Sequence, residues 1–206
     1  MSLTAADAEA FERCIAAGGV AVFPADTVYG LACDPASPAA VRRLYELKGR
    51  APDKPAAVMF FALEPALAAL PALGPRARAA AAALLPGALT LLLDNPEHRF
   101  PLACGPDPGT LGLRVPALAP ESAALGGVGA AVLQSSANPT GAADACRLRD
   151  VDAAIRAGAD LVLDGGALPG TPSTVLDLRA YEDGGGWSVL RAGAVARDVV
   201  AAALGG

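Results

Sequence analysis

The hydrophobic and polar positions of this chain change period repeatedly, and each change marks an element. Phe11, Cys14 and Ile15 fall on one helical face behind Thr4 and Asp7, a capping-box pair. Gly18-Gly19 stops the run, which predicts a helix over 4–18. "VAVFP" at 20–24 is apolar without a helical period and ends at proline, so it reads as a buried strand. Ser37 before Pro38 is an N-cap followed by a proline suited to the first helical turn, opening a helix through about Lys48. "AAVMFF" (56–61) is the next strand. Glu64-Pro65 and Pro75 open two alanine-rich helices that end near Leu85, before Pro86-Gly87. "LTLLLD" (89–94) is a continuous apolar strand, 95–109 a proline-rich loop, and "TLGLRVP" (110–116) an alternating strand. A short helix is expected after Pro120, and a strand "GAAVLQSS" (129–136) that runs into the turn "SANPTG". A helix near 150–157 and a strand "LVLD" (161–164) follow. "STVLDL" (173–178) and "WSVLR" (187–191) form a final strand pair around the glycines at 184–186, before a terminal helix to about Leu204.

Helices and strands are mixed from end to end, with no composition break, linker or internal repeat. The reading is one α/β domain, 1–206, with an open, twisted, mixed sheet and flanking helices. Apolar residues make up 53% of the chain, enough for a substantial core, while aromatics make up only 4%. Packing must therefore rest on Ala, Val, Leu and Ile.

Charge narrows the function classes. The net charge is −5, so a protein devoted to gripping nucleic acid is disfavoured, and any cationic site must be a local pocket in an acidic body. Cys14, Cys33, Cys104 and Cys146 have neither metal-ligand nor redox spacing. The first twenty residues lack a signal-peptide pattern, and no apolar run is long enough to cross a bilayer, so a cytoplasmic location with free thiols is expected. There is no phosphate-loop, GxGxxG, HExxH or paired CxxC motif. His98, the only histidine, reads as a solvated loop side chain, which leaves no Ser–His or Cys–His nucleophile.

Polar residues nevertheless collect at strand and helix ends, where open α/β sheets bind ligands. Each has an ordinary explanation: Lys48 and Arg50 favour a helix C-terminus, Ser135, Ser136 and Asn138 suit a turn before Pro139, and Asp26 and Thr27 could cap a turn. Arg114 inside an alternating strand is harder to dismiss, because it needs a partner or a ligand anion. Only two of the 16 basic residues are lysine, Lys48 and Lys54, and both lie in "KGRAPDKP".

Taken together, Lys48-Gly49-Arg50 and Ser136-Ala137-Asn138 form a KxR and SxN pair. Around it stand "DTVYGLACDP", "PG-x-LT", "RVP", "PSTV-x-DL" and "LR-x-G" in order. From about Ala16 to Gly193 the chain resembles the YrdC family of L-threonylcarbamoyladenylate synthases, in the length of its single-domain form. The resemblance implies an open twisted α/β sheet with a deep, positively lined concavity. It implies synthesis of threonylcarbamoyl-AMP from L-threonine, bicarbonate and ATP with release of pyrophosphate. The product would pass to a separate complex that makes N6-threonylcarbamoyladenosine in tRNA. Residue by residue, Lys48 and Arg50 would be the catalytic cations on the ATP phosphates, and Lys54 would line the triphosphate path. Thr110, Ser136, Asn138 and Arg191 would contact the nucleotide, and Thr27, Arg114 and Ser173 would contact threonine. Mg²⁺ is expected with ATP, its ligands unassigned. Replacing Lys48 or Arg50 by alanine is expected to abolish adenylate formation without unfolding, on the reading that both sit on an exposed helix end.

Ala25, Ala88, Gln134 and the segment "TGAADACRLRD" depart from the family's usual residues, without removing a cation or the SxN pair. Two rivals remain at this stage. One is a YrdC-like enzyme acting on another carbamoyl or adenylate substrate, against which Thr27, Arg114 and Ser173 speak. The other is an RNA-binding module for tRNA or double-stranded RNA, which the acidic charge and scarce aromatics disfavour.

Overall fold

The computed structural model describes residues 2–184 and 186–205. Gly185, at the centre of the expected glycine-rich turn, lies outside them. The chain runs α1 (Ala5–Ala16), β1 (Ala21–Pro24), β2 (Tyr29–Cys33), α2 (Pro38–Lys48), β3 (Ala57–Met59), α3 (Leu63–Ala68) and α4 (Pro75–Leu84). It continues through β4 (Leu89–Asp94), α5 (Pro101–Cys104), β5 (Thr110–Arg114), a 3₁₀ turn (Pro120–Gly127) and β6 (Val132–Ser136). A second 3₁₀ turn (Leu148–Asp150), α6 (Ala153–Gly158), β7 (Leu161–Val162), β8 (Thr174–Asp177), β9 (Ser188–Arg191) and α7 (Arg197–Ala203) complete it.

Local chemistry sets the helix starts. The Thr4 hydroxyl accepts from the Asp7 amide while the Asp7 carboxylate accepts from the Thr4 amide, a complete capping box. Ser37 caps α2 at the Ala40 amide, with Pro38 behind it. Gly49 ends α2 at φ 58°, in the left-handed region where a side chain is strained.

Among the described residues, nine strands form one mixed sheet in the order β7-β1-β2-β6-β3-β5-β4-β8-β9. The pairs β1–β7, β3–β5 and β4–β8 are parallel and the others antiparallel. Successive side chains alternate across the sheet, so Val22 joins one apolar cluster while Ala21 and Phe23 join the other. The larger cluster packs under α2, α4 and α6. The smaller holds α1, with Phe11, Phe23 and Phe61 ring centroids 5.3–6.1 Å apart. Burial on both faces explains why most strands read as unbroken apolar runs.

The structure adds one strand and corrects two expectations. Tyr29–Cys33, to which the sequence pattern assigned no element, is a strand: every residue in it is buried, and it pairs antiparallel with both β1 and β6. Gly30 belongs in that strand because a Cβ there would lie 2.9 Å from both the Phe23 ring and the Gln134 amide nitrogen. The loop 95–109 contains a short helix, α5, begun by Pro101 after Phe100 at φ 53°. Strands β3 and β6 are shorter than expected, because Phe60-Phe61 and Gly129–Ala131 run on past the ladder.

Candidate functional site

The sheet brings together residues far apart in sequence. Arg114 ends β5, Ser136 ends β6, Arg191 ends β9, and Ser173 immediately precedes β8. With Arg50 after α2 and Thr27 in the β1–β2 connection, these six line one hollow of about 200 Å³, joined by Thr90, Gln134, Ser135 and Asp144. A more apolar hollow of about 380 Å³ adjoins it, sharing Pro55, Ala56, Ala57, Thr90 and Val175 and reaching Cys104 and Thr110.

At the deep end Arg114 is 4% exposed. Its Nη2 donates to Asp26 Oδ1 at 2.6 Å and its Nη1 to Gln134 Oε1 at 3.1 Å, while Nε has no partner. The other Asp26 oxygen accepts from the Ala117 amide at 3.3 Å. Burial raises the Asp26 carboxyl above its usual range, and Arg114 opposes the rise. Burial likewise lowers the Arg114 pKa, with Asp26 opposing and the cation of Arg191 adding to the drop. Thr27 Oγ1 is buried on the same lining without a partner. Three residues of this lining, Thr27, Arg50 and Arg114, thus carry a buried polar atom without a partner, which is unusual in a folded interior.

Toward the opening, Arg191 donates to the Ser173 carbonyl at 2.8 Å and to its hydroxyl at 3.2 Å, and that hydroxyl lies 2.9 Å from Thr90 Oγ1. Gly193 makes this approach possible: a Cβ there would sit 2.3 Å from the Pro172 carbonyl oxygen. Arg50 donates from Nη2 to the Pro55 carbonyl at 2.5 Å, stacks 5.6 Å from the Tyr45 ring centroid, and leaves its buried Nε free. The Tyr45 hydroxyl donates to the Lys54 carbonyl at 2.8 Å, so the segment around "APDKP" is tied to α2.

Four sequence-predicted residues sit elsewhere. Lys48 is not on an exposed helix end: it is 3% exposed, and its ammonium donates to the carbonyls of Ser136 and Asn138 and to Asn138 Oδ1. The helix turns that stem inward against the β6 end, which the dipole argument for a helix terminus does not foresee. Asn138 is also buried, bonded to Ser136 Oγ at 2.5 Å and to the Ala142 carbonyl at 2.5 Å. Lys54 is exposed beside Pro55. Thr110 lines the adjoining apolar hollow, donating to Asp107 at 2.6 Å and receiving from Arg179 at 3.4 Å. His98 is exposed, and all four cysteines are free.

Sequence reasoning missed Asp26, Thr90, Gln134 and Asp144 as parts of the site. Asp26 and Thr90 were visible inside "DTVYG" and "PG-x-LT", where the neighbouring residues drew attention instead. No group of three or more metal-ligating side chains occurs among the described residues, and none of the described helices is long and apolar enough to cross a membrane.

Comparison with known proteins identifies the family. The family model described as Sua5_yciO_yrdC, telomere recombination, matches residues 13–193. Threonylcarbamoyl-AMP synthase of Chromohalobacter salexigens is 38% identical over 173 residues, covering 80% of this chain and 89% of that protein. The protein of the same name from Thiobacillus denitrificans is 35% identical over 172 residues, covering 78% and 85%. The crystal structure of P. abyssi Sua5 complexed with L-threonine superposes over 100% of this chain with a TM-score of 0.84 at 25% identity. This chain spans only 59% of the length of that protein. The fold of E. coli YciO also matches, with a TM-score of 0.74 at 22% identity over 94% of this chain and 96% of the other. By the span of the family match and the identity to these relatives, the chain belongs to the Sua5/YciO/YrdC family.

Proposed function

We propose that the chain is an L-threonylcarbamoyladenylate synthase, joining L-threonine, bicarbonate and ATP into threonylcarbamoyl-AMP and pyrophosphate. The observation that carries this reading is the shared lining: three guanidiniums (Arg50, Arg114, Arg191), five hydroxyls (Thr27, Thr90, Ser135, Ser136, Ser173) and one carboxylate (Asp144) line a single hollow. The names of the two bacterial relatives support the same activity.

The chemistry asks little acid–base work of the protein. Threonine's neutral amine and CO₂ give a carbamate and a proton that passes to solvent, and the carbamate oxygen is already anionic. That oxygen attacks the α-phosphorus of ATP while the bond to the pyrophosphate oxygen breaks, and the leaving group carries away the electron pair. The protein must hold two anions in line and stabilise charge on the phosphates. Arg114 takes the threonine carboxylate with its unused N–H groups, beside Thr27 and Ser173. Arg50 and Arg191, which have no carboxylate partner among the described residues, face the nucleotide with Ser136. Thr110, on the adjoining hollow, would extend that path, and Lys54, exposed beside the lining residue Pro55, would flank it.

Mg²⁺ bound with ATP would neutralise phosphate charge, taking most of its ligands from phosphates and water. Asp144, the only carboxylate among the described lining residues, is the side chain that fits it. Delivery of the adenylate to a separate tRNA-modifying complex and a cytoplasmic setting belong to the same proposal.

The test is incubation with ATP, L-threonine and bicarbonate, followed by mass detection of the adenylate. Product and pyrophosphate that require all three substrates are expected. Pyrophosphate release that ignores threonine would instead favour a relative acting on another acyl group. Salt-sensitive tRNA binding without ATP turnover would favour an RNA-binding module.

A further inference from the structure

The two cations of the KxR tripeptide point to different places. Gly49, at φ 58°, turns the chain between them, so Arg50 faces the hollow while Lys48 passes behind its wall. We propose that Lys48 is a positioning residue: its ammonium fixes the Ser136–Ala142 loop that walls the hollow and touches no phosphate.

The geometry accounts for each donor and acceptor. An ammonium has three N–H groups, and three oxygens receive them: the Ser136 carbonyl, the Asn138 carbonyl at 2.6 Å, and Asn138 Oδ1 at 3.3 Å. The link runs both ways, because the Thr140 amide donates to the Lys48 carbonyl at 2.8 Å. Asn138 carries the restraint onward. Its Oδ1 also accepts from Ser136 Oγ and its Nδ2 donates to the Ala142 carbonyl, each at 2.5 Å. The hydroxyl that lines the hollow is thereby oriented by the asparagine that Lys48 holds. Nothing polar on Lys48 is left over for a ligand.

The same contacts explain why lysine persists here in an arginine-rich chain. Three oxygens converging on one point suit a compact ammonium, and the flat guanidinium fork cannot address them together. Burial is the main cause that brings the Lys48 pKa down to about 8, with Arg50 adding and Asp144 opposing, as expected of a cation held by dipoles rather than by an ion pair.

The nucleotide part of this inference rests on the proposed synthase reading, and the loop part does not, so the experiment has two arms. In the full-length chain, amide exchange at Thr140 and Ala142 should accelerate about tenfold or more in Lys48→Met, as loss of bonds to a charged donor implies, with Tyr29–Cys33 unchanged. In the second arm, Lys48→Met should weaken AMP, ADP and ATP by one common factor, whereas Arg50→Met should lose more with each added phosphate. Lys48→Arg, which keeps the charge and loses the geometry, should restore neither property. Unchanged exchange in Lys48→Met, rescue by Lys48→Arg, or a loss that grows with phosphate number would each overturn the proposal. If Lys48→Met does not fold, Asn138→Ala takes its place: faster exchange at Thr140 and Ala142 supports the inference, and unchanged protection overturns it. A wild-type chain that binds no nucleotide would refute the synthase reading and leave the exchange arm to decide this one.

Discussion

The deep and outer ends of the hollow handle positive charge in opposite ways. At the deep end Arg114 is enclosed, ion-paired to Asp26 and bonded to Gln134. At the outer end Arg50 and Arg191 are more exposed, and they lean on backbone carbonyls with no carboxylate partner among the described residues. A fixed, half-satisfied guanidinium is suited to select one small carboxylate at a set angle. Cations without a paired anion keep their charge available for phosphates that change as the reaction proceeds. On the proposed synthase reading, selection and charge stabilisation would be separated along one cavity.

Breaking the deep end should cost the most stability. Asp26→Asn leaves a buried guanidinium without its counter-charge, and a loss of about 3–5 kcal/mol in urea unfolding is expected. Arg50→Ala reverses the pattern. Stability should fall by only about 1 kcal/mol, from loss of one hydrogen bond to the Pro55 carbonyl and the stacking on Tyr45 at a half-exposed site. Adenylate formation should fall roughly 10²–10³-fold, the usual effect of removing one preorganised charge-stabilising donor. Equal effects of these two substitutions on stability would erase the contrast.

Gln134→Ser sharpens the comparison at smaller scale. It removes one bond to Arg114, so KM for threonine should rise about 5–10-fold while KM for ATP stays put. A matching rise for ATP would show that the two ends are not separate. A pH dependence is also expected. The folded pKa of Lys48 is about 8 against 10.5 for a free lysine, so between those values the unfolded chain binds more protons. Stability from this group therefore rises with pH across that window. Lys48→Met should flatten that part of the urea-midpoint profile.

Much of the fold was legible locally. Thr4–Asp7, Ser37-Pro38 and the proline-ended strands gave their elements directly, because caps and φ restrictions act over a few residues. β2 was not legible, since a strand buried on both faces and interrupted by Gly30 has no alternation to read. For the site, Thr27, Arg114, Ser173, Ser136, Arg50 and Arg191 share the lining as a set, while the direction of Lys48 was misjudged. A helix C-terminus says that a cation is tolerated, and nothing about which neighbour receives it.

By itself the sequence determined most of the succession of helices and strands, β2 and α5 excepted, and the ordered strings that mark the family. Tertiary structure decided the rest. Leu89 aligns with Thr174 and Val175 with Arg191, so residues from β4, β8 and β9 meet beside β5. Which cation is buried, and against which oxygens, follows from those long-range pairings, because burial and hydrogen-bond partners belong to the assembled sheet and are not carried by any local period.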